Sequence, residues 1–249
     1  MKYFSSTVKG VEAVKFDEGL RSFMASIFNN MAIGLVVTAI VSWAFGNVKP
    51  LMSILYQMDP VYGVPVGMTA VGWMAMFAPI FFVFMFSFSL NKLSVNGVRG
   101  MFFLFSALMG ISISNIFLMY TTESITATFF ITAIMFGGMA LYGNVTKKDL
   151  TSWGSFFLMG LFGIIIASLV NLILQSSGLG FAVSFISIFI FMGLTAYDVQ
   201  SFKRMYMGVH GYGSEEVVSK LSVQASMQLY MNFINLFLSL LRFFGDRKN

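Results

Sequence analysis

The chain has 249 residues, of which 57% are hydrophobic and 10% are charged, and its formal net charge is +5. A soluble domain carries about 25% charged residues, so this composition excludes a soluble globular protein and predicts an integral membrane protein. The basic residues are scattered over the ends of apolar runs, which argues against nucleic-acid binding, and the absence of cysteine excludes disulfides and thiolate chemistry.

Uncharged runs long enough to cross a bilayer follow one another along the chain. A membrane helix needs about 20 mainly apolar residues. The predicted spans are roughly 23–46, 67–90, 100–120, 125–143, 154–174, 182–202 and the run between Lys220 and Arg242. They lack the two-residue alternation of a barrel strand. We therefore expect an all-α integral membrane protein, a bundle of seven transmembrane helices.

The chain divides around this bundle. Residues 1–22 are polar and are expected to form a cytoplasmic segment, residues 23–244 the single transmembrane domain, and residues 245–249 a short tail. The loop between the first two spans contains an apolar piece that is too short to cross, so we expect it to lie in the membrane interface.

Lysine and arginine positions predict the orientation. With the N-terminus in the cytoplasm, eleven of these residues lie inside and four outside. If the last segment enters and returns without crossing, the distribution becomes fourteen against one. Both counts place the N-terminus in the cytoplasm by the positive-inside rule. They leave open whether the last segment crosses, and we expect that it does.

The last predicted span carries a narrow polar stripe. Its amide and hydroxyl residues fall at about 0°, 40°, 80°, 20° and 60° around a helix. In order these are Gln224, Gln228, Asn232, Asn235 and Ser239. Unsatisfied amides in hydrocarbon are costly, so this side must face protein or water. The stripe fits either an interhelical contact without a transport role or the lining of a pore.

Asp198 lies near the end of the sixth predicted span. It is the only acidic, basic or histidine residue in the seven spans, and it shares a helix face with Thr195 and two serines. One interpretation is that it only offsets the basic charge of Lys203 and Arg204 at the interface. The other is functional. Because burial disfavours the charged form of a carboxylate, Asp198 would then be a proton-sensitive ion ligand.

Several strings in the chain resemble one known family. They include GLTAYDVQSFK from Gly193 and LYMNFINLFLSLLRFFG from Leu229. GISISNIFLMYTTESITATFFITAIMFG from Gly110 and KKDLTSWGSFFLMGL from Lys147 add to these, and DEGLRSFM from Asp17 is typical of bacterial members. Together they are similar to the Bax inhibitor-1 family, whose proteins carry a transmembrane Bax-inhibitor motif, and the resemblance covers nearly the whole chain.

This resemblance implies a fold and an activity. The fold would be a seven-helix bundle with the C-terminal helix central, in a bacterial inner membrane. The activity would be a pH-sensitive calcium leak, with calcium or other cations and the lipid bilayer as partners and no bound cofactor. A role in stress response is also implied.

The resemblance also implies a site. Family members pair an aspartate of the sixth helix with one of the seventh, and the pair shares protons. Asp198 matches the first position and is the implied ion or metal ligand, whereas the second position is Asn232. Asn232 can donate an amide hydrogen bond to Asp198, like a partner that stays protonated, so we expect weak or shifted pH dependence. Gln228, Asn235, Thr195 and Ser239 would line the pore or the helix interface.

Two other classes compete with a leak. The first is a membrane regulator without transport, which binds and modulates a membrane protease or a stress-response partner, as a bacterial relative in this family does. The second is an enzyme. The string around Tyr197 and Asp198 resembles half of an intramembrane aspartyl protease, but that chemistry needs two carboxylates. With no second aspartate in any predicted span, we expect no enzymatic activity.

Overall fold

The computed structural model describes residues 2–89, 92–209 and 213–248, with side chains from Glu18 onward. This part of the chain is almost entirely helical. Its helices are α1 (Lys2–Asn47), α2 (Lys49–Leu55), α3 (Ala70–Ser89), α4 (Val95–Ile113), α5 (Ile116–Met119), α6 (Thr122–Val145), α7 (Thr151–Leu174), α8 (Ser177–Val209) and α9 (Glu215–Phe244). The prediction of an all-α membrane protein is confirmed.

Six stretches in the described ranges are long and apolar enough to cross a membrane. They are Glu18–Asn47, Ala70–Ser89, Val95–Met119, Thr122–Val145, Thr151–Leu174 and Ser177–Val209. Each coincides with one of the first six predicted spans. The seventh predicted span lies in α9, which does not reach the same apolarity because its amides and hydroxyls lower its mean hydropathy. The count of seven therefore stays a prediction.

A tight turn separates α7 from α8. Gln175 adopts the left-handed conformation, with φ of 49°, and its N–H donates to the Asn171 carbonyl at 2.8 Å. The Asn171 side chain then accepts a hydrogen bond from the N–H of Ser176 at 3.0 Å. This side-chain cap ends α7 as the chain turns back. α8 begins at once and continues beyond the predicted end of its span to Val209.

The loop between α1 and α3 holds more structure than its sequence predicts. It contains α2 and an antiparallel hairpin of β1 (Tyr56–Met58) and β2 (Pro65–Met68). The Asp59 carboxylate accepts from the N–H groups of Val61 and Tyr62 at 2.7 and 2.8 Å, and Gly63 takes φ of 64°. Such local side-chain bonds favour a turn.

α8 and α9 are the two helices with the most buried residues. α9 packs against α8, α1, α6 and α4, and α8 packs in addition against α6 and α7. Close approach needs glycine at two of these crossings. A Cβ at Gly143 would overlap the Ala196 carbonyl where α6 meets α8, and one at Gly110 would lie 2.8 Å from the Thr38 carbonyl where α4 meets α1.

The bundle has two ends, which we name after the ends of α9. At the Glu215 face, the hydroxyls of Ser26 in α1 and Ser222 in α9 lie 3.2 Å apart. At the Gly245 face, the ring of Phe243 stacks on Phe181 of α8 with centroids 4.7 Å apart. The chain after α9 then bonds to the start of α6, where the Thr121 N–H donates to the Asp246 carbonyl at 3.1 Å.

Candidate functional site

Asp198 is buried inside the bundle, on the face of α8 that meets α9. Its side chain is 2% exposed. Asn232 donates from Nδ2 to Oδ2 of Asp198 at 2.6 Å, and Gln228 donates from Nε2 to Oδ1 at 2.7 Å. The two donors are one helical turn apart on α9, so a single helix face binds both carboxylate oxygens.

Hydrogen bonds, rather than an opposite charge, compensate this carboxylate. No described basic residue forms a salt bridge with Asp198. An ionised aspartate only accepts hydrogen bonds, and two neutral amides suit that state. If Asp198 were protonated, its O–H would become a donor and would need an acceptor, which the N–H groups of Gln228 and Asn232 do not supply.

The basic end of α8 points elsewhere. Lys203 donates from Nζ to the Asn144 carbonyl at 2.7 Å, and Arg204 pairs with Asp149 at 3.4 Å. Gln200 binds the same α6–α7 loop, because it accepts from the Leu150 N–H and donates to the Lys148 carbonyl, both at 2.8 Å. Lys203 thus contacts the end of α6 and Arg204 contacts the loop after it. No described contact supports the interpretation of Asp198 as their counter-charge.

A cavity of about 720 Å³ lies between α3, α7, α8 and α9, and Asp198 lines it. All five residues of the polar stripe on α9 line the same cavity, which confirms that they share one face. Gln224 and Arg242 mark its extent along α9, and this length of helix spans about 27 Å. The hydrocarbon core of a bilayer is about 30 Å thick. The polar floor of the cavity is therefore almost as long as the hydrocarbon core of a bilayer is thick.

The predicted residues occupy different positions around this cavity. Gln228 and Asn232 bind Asp198 and so join α9 to α8, and both also line the cavity. The same two residues therefore form an interhelical contact and part of the cavity lining. Asn235 and Ser239 line the cavity farther toward the Gly245 face. Thr195 does not. It is fully buried and donates to the Phe191 carbonyl at 2.7 Å within α8.

A calcium ligand set does not assemble around Asp198 in the described part of the chain. No group of three or more His, Cys, Asp or Glu side chains comes together there. Calcium takes six to eight oxygen ligands in protein sites, and both Asp198 oxygens already accept amides. A cation in this cavity would meet one carboxylate and neutral side chains, and would keep most of its water.

Sequence reasoning missed a second polar contact along α9. The Tyr230 hydroxyl lies 2.6 Å from the Thr38 hydroxyl of α1, which also lies 2.8 Å from the Ser106 carbonyl of α4. All three residues are buried. This cluster lies away from the cavity and joins α1, α4 and α9. Threonines and serines are frequent in packed membrane helices, and only their convergence on one tyrosine identifies the contact.

These observations define an α-helical integral membrane protein with a deep polar cavity and one buried carboxylate. A family model described as inhibitor of apoptosis-promoting Bax1 matches residues 20–249. The chain thus belongs to the Bax inhibitor-1 family.

Bacterial relatives match almost from end to end. Inner membrane protein YbhL of Escherichia coli is 40% identical over 230 residues, which cover 92% of this chain and 94% of the relative. An uncharacterized protein of Rickettsia prowazekii is 44% identical, over 94% of this chain and 93% of its own length. An uncharacterized protein of Borreliella burgdorferi is 43% identical, over 91% of this chain and 93% of its own length.

Proposed function

We propose that this protein is a cation leak of the Bax inhibitor-1 type, which lets calcium pass down its gradient through the cavity beside Asp198. The observation that carries the proposal is the placement of the buried Asp198 carboxylate on a cavity whose polar floor is almost as long as a bilayer is thick. A carboxylate at membrane depth is costly and is commonly part of an ion or proton path. Here Asp198 would attract the cation.

The leak needs α9 as a seventh crossing at the centre of the bundle, and this is part of the proposal. Contacts at both ends support it. Ser222 near the start of α9 meets Ser26 of α1 at the Glu215 face, whereas Phe243 meets Phe181 of α8 at the Gly245 face. A helix with neighbours at both faces and packing against α1, α4, α6 and α8 extends over the depth of the bundle.

We place the Glu215 face in the cytoplasm. The ends of the helices at this face carry most of the lysines and arginines, which the positive-inside rule associates with the cytoplasmic side. YbhL is named as an inner membrane protein, so we propose the same membrane for this chain. The carboxylate of Asp198 then lies in the cytoplasmic half of the cavity.

The proposed pH response follows from the identity of the partner. Two carboxylates in contact would share a proton and titrate as a pair. Asn232 supplies a neutral amide in place of the second carboxylate, and Gln228 supplies another. We infer that the pH response of the leak is weak or shifted relative to that of a carboxylate pair, because one carboxylate and two amides contain only one titrating group.

Flux in liposomes tests the function. Purified protein should let calcium enter more rapidly than empty liposomes do, with sodium and proton entry measured beside it. Asp198→Asn should abolish most of this entry. A protein that moves no cation, yet binds a membrane protease or stress-response partner and alters its activity with Asp198 intact or replaced, would support the regulator instead and would contradict the leak.

We also propose that the chain is not an enzyme. Hydrolysis by an intramembrane aspartyl mechanism needs two carboxylates, one as general acid and one as general base. The amides of Gln228 and Asn232 occupy the positions next to Asp198 where a second carboxylate would have to lie. An amide cannot take a proton from water at neutral pH, so the geometry favours ion or proton binding over catalysis.

A further inference from the structure

A basic residue lies at the end of the cavity at the Gly245 face. Arg242 lies in the last turn of α9 and lines the cavity. Within the described part of the chain its guanidinium forms no salt bridge and donates no hydrogen bond. A guanidinium at the edge of hydrocarbon favours an anion beside it, and its planar fork suits the oxygens of a phosphate.

The floor below Arg242 continues the polar path. Asn235 and Ser239 lie on the same face of α9, within two turns of the arginine. Ser239 donates its hydroxyl to the Asn235 backbone carbonyl at 2.7 Å, but no described group bonds to the Asn235 side chain. That amide lines the cavity and needs a partner that the described residues do not supply, because an unpaired amide at this depth is costly.

The wall opposite this floor, on α7, is apolar except for Ser168. Leu169 and Leu172 of α7 line the cavity at this end. α7 packs against α8, and no comparable packing joins it to α3 or to α9 in the described residues. The cavity is therefore open beside α7, where the bilayer lies. An occupant that matches both sides needs a negative head for Arg242, a polar middle for Asn235 and an apolar tail for α7.

We propose that this half of the cavity binds one anionic phospholipid from the leaflet at the Gly245 face. Its phosphate accepts from the Arg242 guanidinium, its glycerol ester region accepts from the Asn235 amide, and one acyl chain lies along Leu169 and Leu172. A phospholipid of this class combines charge complementarity at the arginine with apolar contact at α7, which a small anion cannot do.

This site has a consequence for the proposed leak, and that consequence rests on the proposed function. A bare arginine at the mouth of a cation path repels cations, as basic residues do in pores that select anions. A lipid phosphate on Arg242 would neutralise this charge. Calcium entry should then be faster in liposomes with phosphatidylglycerol than in phosphatidylcholine alone. Lipid binding itself does not depend on a leak, so the proposed lipid site and the proposed leak can be contradicted separately.

The direct test is lipid binding by the full chain in detergent, with bound lipid counted by native mass spectrometry. The wild type should bind one phosphatidylglycerol in preference to phosphatidylcholine. Arg242→Gln should weaken this binding about tenfold, the effect of losing a charged hydrogen bond. Arg242→Lys should keep part of it. Arg247→Gln removes the same charge from the exposed tail at the same face and should change nothing.

Four results would overturn the site. One is equal binding of phosphatidylglycerol and phosphatidylcholine by the wild type. Another is equal weakening by Arg242→Gln and Arg247→Gln, which would indicate general surface charge. A third is binding of glycerol phosphate as strong as that of the lipid, which would remove the role of α7. Leu169→Trp keeps the arginine and fills the place of the acyl chain, so unchanged lipid binding in that variant would also contradict the proposal, even if Arg242→Gln failed to fold.

Discussion

At the scale of single residues, the central feature is a carboxylate held by two amides. Asp198 receives one hydrogen bond on each oxygen, from Gln228 and Asn232, and no basic residue in the described ranges forms a salt bridge with it. Neutral donors stabilise an ionised carboxylate without adding a second titrating group. The chemistry of this site is therefore that of one acid held by two neutral amides.

Asn232→Asp tests this description. The variant places two carboxylates in contact, which cannot both be ionised at low cost, so one of them should hold a proton over part of the range from pH 5 to 8. We expect calcium flux in proteoliposomes to vary more than about tenfold over this range in the variant and less than about threefold in the wild type. A steep, two-proton response in the wild type would contradict a one-acid site.

The contact between Asp198 and Asn232 could be anticipated from the family resemblance, whereas the hydrogen bond from Gln228 to Asp198 could not. Helical phase places Gln228 and Asn232 on one face of α9, but phase says nothing about how far α8 is shifted along it. The shift puts Asp198 level with the turn between these two amides. Only the packed structure supplies that register.

At the scale of elements, the helices are held together by close backbone contacts as well as by polar pairs. Gly143 of α6 lies against the Ala196 backbone of α8, two residues before Asp198. Because a side chain here would push α6 away, this contact helps to hold the part of α8 that carries the carboxylate. Gly138 lies in the same helix with nothing near the position of its Cβ.

Gly143→Ala and Gly138→Ala form a matched pair. Alanine at position 143 would overlap the Ala196 carbonyl, so we expect this variant to lose about 1–3 kcal/mol of stability. Alanine at position 138 meets open space and should be neutral or slightly stabilising, since alanine favours helix over glycine. Thermal unfolding in detergent measures both. Equal melting temperatures for the two variants would refute the tight crossing of α6 and α8.

The six apolar helices could be predicted from uncharged runs because their length and composition suffice. The hairpin of β1 and β2 could not, because its turn depends on one aspartate that binds two backbone N–H groups. The hydrogen bonds between the α6–α7 loop and Gln200 could not be predicted either, because they join segments that are far apart in the chain. Composition detects membrane helices, but not the contacts that join their ends.

At the scale of the whole molecule, one cavity extends along α9 from Gln224 to Arg242. Asp198 lies toward the Glu215 face and Arg242 at the Gly245 face, with neutral amides and hydroxyls between them. The arrangement places a negative group and a positive group at opposite ends of one polar floor. In the proposed leak, a cation would meet these groups in sequence, and the lipid proposed at Arg242 would decide how easily it enters.

The topology can be measured directly, because the chain has no cysteine. We expect Arg247→Cys to react with an impermeant maleimide added to intact cells after outer-membrane permeabilisation, since this position follows α9 at the Gly245 face. Lys147→Cys lies in the α6–α7 loop and should react only after the inner membrane is opened. Protection of both positions, or labelling of both, would contradict a seventh crossing with the Glu215 face in the cytoplasm.

The central claim is that cations pass beside Asp198, and calcium entry into liposomes tests it most directly. The matched variants are Asp198→Asn and Asp149→Asn, the same chemical change at the buried site and at an exposed loop carboxylate. The account predicts that Asp198→Asn slows entry at least about tenfold, because a neutral amide no longer offsets the charge of the ion. Asp149→Asn should keep the rate of the wild type. Equal rates in all three proteins, or a wild-type rate no faster than that of empty liposomes, would contradict it.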